Sequence, residues 1–218
     1  ITGPVERMGL EVDPALVERI NADISEEPGA LPLVQYALTE VFDRRSGRIL
    51  SVSAYEKIGG VTGALARRAD EVYNALPDSA KDAARQIMLR LLTLGEGKED
   101  TRRRAPLSEL VAVVPDPATR QTTLDAFTQA RLLTFDQDQS TREPVVEVAH
   151  EALIREWGLL RGWLDDSRAD VRQQRQLAVA ALEWSDSRRD DSYLLSGTRL
   201  SQFEEWAAVT DLMLTPLE

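Results

Sequence analysis

Val145-Val146-Glu147-Val148-Ala149-His150-Glu151-Ala152-Leu153-Ile154-Arg155-Glu156-Trp157 changes periodicity in its middle. Val145 to Val148 is rich in β-branched residues and reads as a short strand. Beyond it, Leu153, Ile154, Trp157 and Leu160 recur at the spacing of one helix face. The chain's only histidine, His150, stands at the changeover. The first turn of a helix has free backbone N–H groups and the positive end of the helix dipole, which together attract anions. A neutral imidazole there can donate one hydrogen bond to a phosphate oxygen, and the dipole disfavours its protonation. The position equally suits a residue that closes a helix end and packs under the strand, and one histidine alone does not decide between the two.

Working upstream, Leu132-Leu133-Thr134-Phe135 is the natural partner of Val145–Val148, a hairpin around the polar loop Asp136 to Glu143. Pro115-Asp116-Pro117 is a breaker, followed by a helix with Leu124, Phe127 and Ala130. Leu107 to Leu110 reads as a short helix and Arg103-Arg104-Ala105 as a short strand. Gly95-Glu96-Gly97 is a loop after a helix with Ala84, Ile87, Met88, Leu91 and Leu94. Val61, Leu65, Ala69, Val72 and Leu76 form an earlier amphipathic helix, stopped by Pro77-Asp78-Ser79, which caps the next. Helix, short strand, two helices and a β-hairpin is the order of a winged helix.

The flanks are helical. Asp13 is a good N-cap with Pro14 at the first helical position, followed by Leu16, Val17, Ile20 and Ile24. Glu26-Glu27-Pro28-Gly29 breaks the chain before a second helix whose expected apolar face is Leu31, Val34, Leu38, Val41 and Phe42. Pro32 fits its first turn, and Ser46-Gly47 ends it. Ser53 is the expected cap of a short turn through Tyr55 and Ile58. Gly59-Gly60 is the strongest hinge candidate, since paired glycines adopt backbone angles that other residues resist, although a plain helix end would use them too. Beyond residue 150, Trp157 and Trp163 precede a long helix with Val171, Ala178, Ala181, Leu182 and Trp184. A polar turn from Asp186 to Ser192 and a last helix with Leu200, Phe203, Glu204 and Trp206 follow. Tryptophans at helical spacing read first as core anchors. The fold class is therefore mainly α, with a small β-hairpin in the middle.

The 218 residues carry a formal net charge of −11, which argues against nucleic-acid binding. The helix that would enter DNA, Ala118 to Ala130, offers one arginine, Arg120, and one acid, Asp125. Arg102-Arg103-Arg104 and Arg188-Arg189 are each flanked by acids and read as solvated loops with local charge pairing. The absence of cysteine removes disulfides and thiolate metal sites, and a single histidine excludes a histidine-rich zinc site. No run of about 18 apolar residues is present, so no membrane span is expected. There is no Gly-x-x-x-x-Gly-Lys-Ser/Thr phosphate loop and no Gly-x-Ser-x-Gly elbow, so no catalytic or metal-ligating residue is assigned. The chain begins at Ile1 without a charged-then-apolar leader and is expected to be a piece of a longer protein.

Several stretches together resemble one family. Pro28-Gly29-Ala30-Leu31-Pro32-Leu33-Val34-Gln35-Tyr36-Ala37-Leu38 resembles the Gly-Leu-Pro-Leu motif of STAND-class signalling ATPases. Val148-Ala149-His150-Glu151 resembles their Met-His-Asp motif, with Ala149 and Glu151 replacing Met and Asp. Ile1-Thr2-Gly3-Pro4 with Gly9, Tyr55 to Gly60, and Leu153 to Trp163 look more specifically like the bacterial novel STAND subclass.

The resemblance implies a helical lid over residues 1–58, a winged helix over 59–149 and a C-terminal helical arm over 150–218. It implies that Pro32 packs against the adenine and that His150 reaches the β-phosphate of ADP. Gly59 and Gly60 would be the hinge. The expected role is a regulatory nucleotide switch of conformation and oligomerisation, not catalytic alone. ADP or ATP with Mg²⁺ belongs to the full-length protein, and this fragment alone is expected to bind none. The implied partners are an N-terminal ATPase core and a C-terminal sensor, such as a β-propeller, in the same chain, with self-association on activation, no nucleic acid and no membrane. The expected location is the cytoplasm. The alternatives are a winged-helix DNA-binding regulator and a helical adaptor for oligomerisation.

Overall fold

The computed structural model describes residues 2–24, 31–95, 97 and 99–218. The break at Glu26 to Gly29, the Pro28-Gly29-Ala30 start of the lid motif, Ile1 and Glu96 lie outside the described residues. The N-terminal part runs α1 (Thr2–Arg7), β1 (Glu11–Val12), α2 (Pro14–Ile24), α3 (Leu31–Asp43), β2 (Ile49–Leu50) and α4 (Val52–Lys57). The middle runs α5 (Gly60–Ala75), α6 (Asp78–Arg90), β3 (Leu92–Thr93), β4 (Thr101–Arg102), β5 (Ala105–Pro106), α7 (Leu107–Val113), α8 (Pro117–Gln129), β6 (Leu133–Gln137) and β7 (Pro144–Val148). The rest is helical: α9 (Ala152–Glu156), α10 (Gly158–Asp186), a 3₁₀ turn at Asp191–Tyr193, and α11 (Gly197–Ala207). The fold is mainly α, as the periodicities require.

The expected hairpin forms in register, with Leu133 opposite Val148, Phe135 opposite Val146 and Gln137 opposite Pro144. β7 is the central strand, because β5 pairs with its other edge through Ala105 and Val146. Val145, Val146 and Val148 are accordingly all buried, where a strand with one wet face would alternate. The expected strand Arg103-Arg104-Ala105 is divided: Arg103 and Arg104 lie between β4 and β5. Neither β4 nor its pairing with β3, where Leu92 faces Arg102 and Thr93 faces Thr101, has a local signature in the residues. Two-residue strands are too short to carry a period-2 signature.

The caps agree with the sequence in part. Asp13 Oδ1 accepts from Ala15 N at 3.0 Å, and Asp116 caps α8 through Thr119 N at 2.8 Å. The cap of α4 is Ser51, whose Oγ accepts from Ala54 N at 3.3 Å. Ser53, the expected cap, lies inside that helix. Pro77 occupies the N-cap of α6, so Asp78 is already helical and makes no side-chain cap.

A single buried cluster runs from Val5 through α2–α10 to Leu212, and a small second cluster holds Leu177, Phe203 and Trp206. The tryptophans are anchors. Trp157 is fully buried, lies 5.9 Å from Phe127 and 5.4 Å from Trp163, and donates its indole N–H to Asp70 at 2.7 Å. The apolar face expected of α3 divides in two. Val41 is buried away from it, whereas Leu31, Leu38 and Phe42, with the buried Val34 at its base, line an open groove with Val5 of α1 and Met8 just after it. Leu182, one of the apolar residues read into the long helix α10, is exposed.

Candidate functional site

Pro32 opens α3 at a position where the missing N–H costs no helical bond. Residues four apart on a helix share a face, so Pro32, Tyr36 and Glu40 form one stripe. The groove-lining stripe of Leu31, Gln35, Leu38 and Phe42 is centred about 130° away around the axis, at 100° per residue. Pro32 is exposed, whereas Tyr36 below it is buried. The Tyr36 hydroxyl donates to the Ala130 carbonyl at 3.1 Å, tying α3 to the end of α8. Burial away from water raises the phenol above its ordinary range, so it remains a proton donor.

His150 meets this stripe directly. Its ring stands edge-on to Tyr36, with centroids 5.3 Å apart and planes at 71°. The imidazole is half-buried. Burial first, then the positive charge of Arg102, holds its pKa below the ordinary value, so it is neutral at pH 7. The helix dipole expected to do this is weak. α9 has five residues and stops at Trp157, whose backbone is extended before α10 begins. The continuous helix read from Leu153 to Leu160 is therefore two helices. The His150 carbonyl still accepts from Leu153 N at 2.9 Å, and Ala149 N donates to Leu132 O at 2.9 Å, so both sides of the ring's backbone are held.

Arg102 is the residue that sequence reasoning missed here. Its guanidinium donates to the carbonyls of Val148 and Ala149, each at 3.4 Å, and lies 3.9 Å from Glu147. A partly exposed cation therefore borders the neutral imidazole. The only signal was the Arg102-Arg103-Arg104 run, and its local-pairing interpretation is corrected by the structure. Arg103 pairs with Glu109, Arg104 with Asp136, and Asp100 with Arg168 of α10 at 2.6 Å. Arg103 and Glu109 are six residues apart, but tertiary packing brings the other two pairs together, and a sequence window cannot show those.

Gly59 and Gly60 both have positive φ, +85° and +72°. Gly59 N closes α4 on Glu56 O, and Gly59 O opens α5 by accepting from Gly63 N, both at 3.0 Å. A side chain at Gly60 would lie 3.4 Å from Asp23 Oδ2, which already accepts from the Tyr55 hydroxyl at 2.8 Å. The glycines thus form a tight helix junction some distance along the chain from His150.

Among the described residues no group of three potential ligands could hold a metal ion. Arg120, the one arginine of α8, is turned back toward the preceding loop, its Nη1 donating to the carbonyls of Val114 and Pro115 at 2.6 and 3.2 Å, and α8 carries no other cation for phosphate contacts. Among the described residues no helix is long and apolar enough to cross a membrane.

In the seam of Pro32, Tyr36, His150 and Arg102 a neutral imidazole rests on Tyr36 with the Arg102 cation beside its backbone, and Tyr36 lies one helical turn along α3 from exposed Pro32. No curated protein and no solved structure matches the chain in comparison searches. The family model described as Novel STAND NTPase 1 matches residues 1–192, which includes every residue of that seam. The chain belongs to the Novel STAND NTPase 1 family.

Proposed function

We propose that these 218 residues are the regulatory part of a STAND-type NTPase and act as a nucleotide-dependent switch of conformation and assembly. The observation that carries this is the placement of His150. It is half-buried, neutral and edge-on to Tyr36, one helical turn from exposed Pro32 and beside Arg102. These groups fit a nucleotide's chemistry: an apolar ring for the base, and a neutral donor and a cation for phosphate oxygens. Bound ADP or ATP, with Mg²⁺, would supply the phosphate charge that these donors read. The elements α6, β5, α7, α8 and the β6–β7 hairpin support a winged-helix reading of the middle segment.

In this reading His150 and Arg102 add contacts only when the middle segment is docked on α3. A ligand shifts such a balance only by its differential affinity for the two states. One charge-assisted hydrogen bond contributes about 1.5–3 kcal/mol, or about 10- to 150-fold in population. Gly59 and Gly60 are the hinge on which the segments part. The phosphate loop, an N-terminal ATPase core and a C-terminal sensor lie on the full-length protein outside these residues, and activation leads to self-association in the cytoplasm.

The test uses the full-length protein. His150→Ala should weaken ADP binding about tenfold or more and shift the resting protein toward higher assemblies, measured by calorimetry and light scattering. Unchanged ADP affinity and an unchanged resting state would remove the phosphate-reading role.

A further inference from the structure

A second polar region lies away from the His150 seam, where α10 crosses the β3–β4 hairpin. Arg172, Arg175 and Glu183 fall on one face of α10, spaced by three and then eight residues. With Thr93, Arg103 and Arg199 of α11 they line a cavity of about 580 Å³. This is the size of small-ligand sites. Four guanidinium groups meet one carboxylate there, in a chain whose net charge is −11.

The arginines behind the cavity are short of acceptors. Arg103 holds Glu109 with two bonds, at 3.0 and 2.8 Å. Arg90 takes a third contact to Glu109 at 3.2 Å and pairs with Glu218 at 2.8 Å. Arg175 donates through Nη2 to the carbonyls of Leu89, Arg90 and Leu92, but its Nε and Nη1 have no hydrogen-bond acceptor. Its nearest carboxylate oxygen, on Glu109, is 3.7 Å from Nη1 and already accepts from the other two arginines. Burial first, then the neighbouring Arg103, pushes the Arg175 guanidinium down to about 10. Arg172 and Arg199 have no ion-pair or hydrogen-bond partner among the described residues. Counting the four arginines against Glu109 and Glu183 leaves two positive charges in excess.

We propose that this cavity binds a dianionic phosphate group, free or carried by a small molecule, held by Arg172, Arg175 and Arg199 across α10, α11 and the β3–β4 hairpin. Planar guanidinium forks match phosphate oxygens two at a time, and a phosphate near neutral pH carries close to the two charges in excess. A carboxylate would satisfy one of them. The bound group would fasten α10 to α11 beside the β3–β4 hairpin, independently of nucleotide at the His150 seam.

The experiment titrates the full-length protein, without added nucleotide, with inorganic phosphate or a sugar monophosphate at constant ionic strength. Binding is followed by calorimetry and by thermal shift. Saturable binding is expected below about 1 mM. The Arg172→Gln, Arg199→Gln double variant should lose about tenfold or more in affinity, with an unchanged melting temperature in the absence of phosphate, since both side chains are exposed. Val179→Glu, which places a carboxylate on an exposed position of the same wall, should abolish binding without unfolding the protein. Tighter binding of the sugar phosphate than of phosphate assigns a carried group, and the reverse assigns the free ion. No saturation by 10 mM of either probe, a response matched by chloride, or full affinity in both variants would overturn the proposal.

Discussion

Two junctions hold the middle of this molecule, and they are made differently. At one, α3 meets the end of β7 and α8 through an edge-on pair of rings and a single hydrogen bond, Tyr36 to Ala130. At the other, α6 meets α10 and the last residues through charge: Arg90, Arg103 and Arg175 around Glu109 and Glu218, with Gln174 donating to Glu218. The Glu218 carboxyl shows how tightly the second is drawn. Burial alone would raise its pKa, but Arg90 and the Thr215 N–H outweigh it and hold it below the ordinary range. An aromatic contact with one half-exposed ring and one neutral hydrogen bond is parted at the smaller cost, because water can take up the groups that are uncovered. A buried ionic network is parted at the larger, because parting it leaves charges with neither partner nor water. The weak junction carries His150, where the proposed switch would need it, and the strong one ties α10 to α6.

That contrast can be broken most directly at Arg90. Arg90→Ala should destabilise the fold by about 3–5 kcal/mol in chemical denaturation, because it strands Glu218 and loosens Glu109. The double variant Arg90→Met, Glu218→Leu should regain most of that loss, since an apolar pair replaces a buried ion pair at little cost. If the double variant is as unstable as the single one, the network is not what holds the junction.

The next largest effects are at the α4–α5 glycine turn and then at the weaker junction. Gly60→Ala should cost about 1–2 kcal/mol, because its φ of +72° is strained for any residue with a Cβ. Tyr36→Phe should cost about 0.5–1.5 kcal/mol by the same denaturation measurement, since it removes one buried bond and keeps the ring against His150. A loss at Tyr36 rivalling that at Arg90 would erase the distinction between the junctions.

The smallest effect is a pH dependence. The folded protein binds a proton at His150 less readily than the unfolded chain, whose imidazole has a value of 6.5. Below that value the unfolded state therefore takes up more protons, so this contribution to stability is present above it and is lost as pH falls toward the folded value. His150→Gln should flatten the decline of melting temperature below that pH relative to the parent protein. An identical slope would mean that the ring is not held neutral by its surroundings.

Much of the fold was legible because its elements are long or strongly punctuated. Val61, Leu65, Ala69, Val72 and Leu76 are all buried as their spacing requires, and Asp13 and Asp116 begin their helices. The β6–β7 hairpin follows from two β-branched runs around a polar loop. The errors share a cause. Nothing local distinguishes Leu31, Leu38 and Phe42, which line a groove, from Val41, which is buried away from it. Nothing local separates α9 from α10, because Trp157 continues the apolar period while its backbone turns out of the helix. Buried contacts with Asp70, Phe127 and Trp163 fix that ring, and the helix gives way to them.

The amino-acid order alone determined a mainly helical chain with one hairpin, no thiol chemistry and a lone histidine at a strand-to-helix change, since these depend on composition and short-range periodicity. Only tertiary packing decided that this histidine rests on Tyr36 beside Arg102, and that three arginines share two carboxylates while others face an open cavity. The partners in those contacts stand many residues apart, and their meeting depends on how helices stack around the core, which local spacing does not encode.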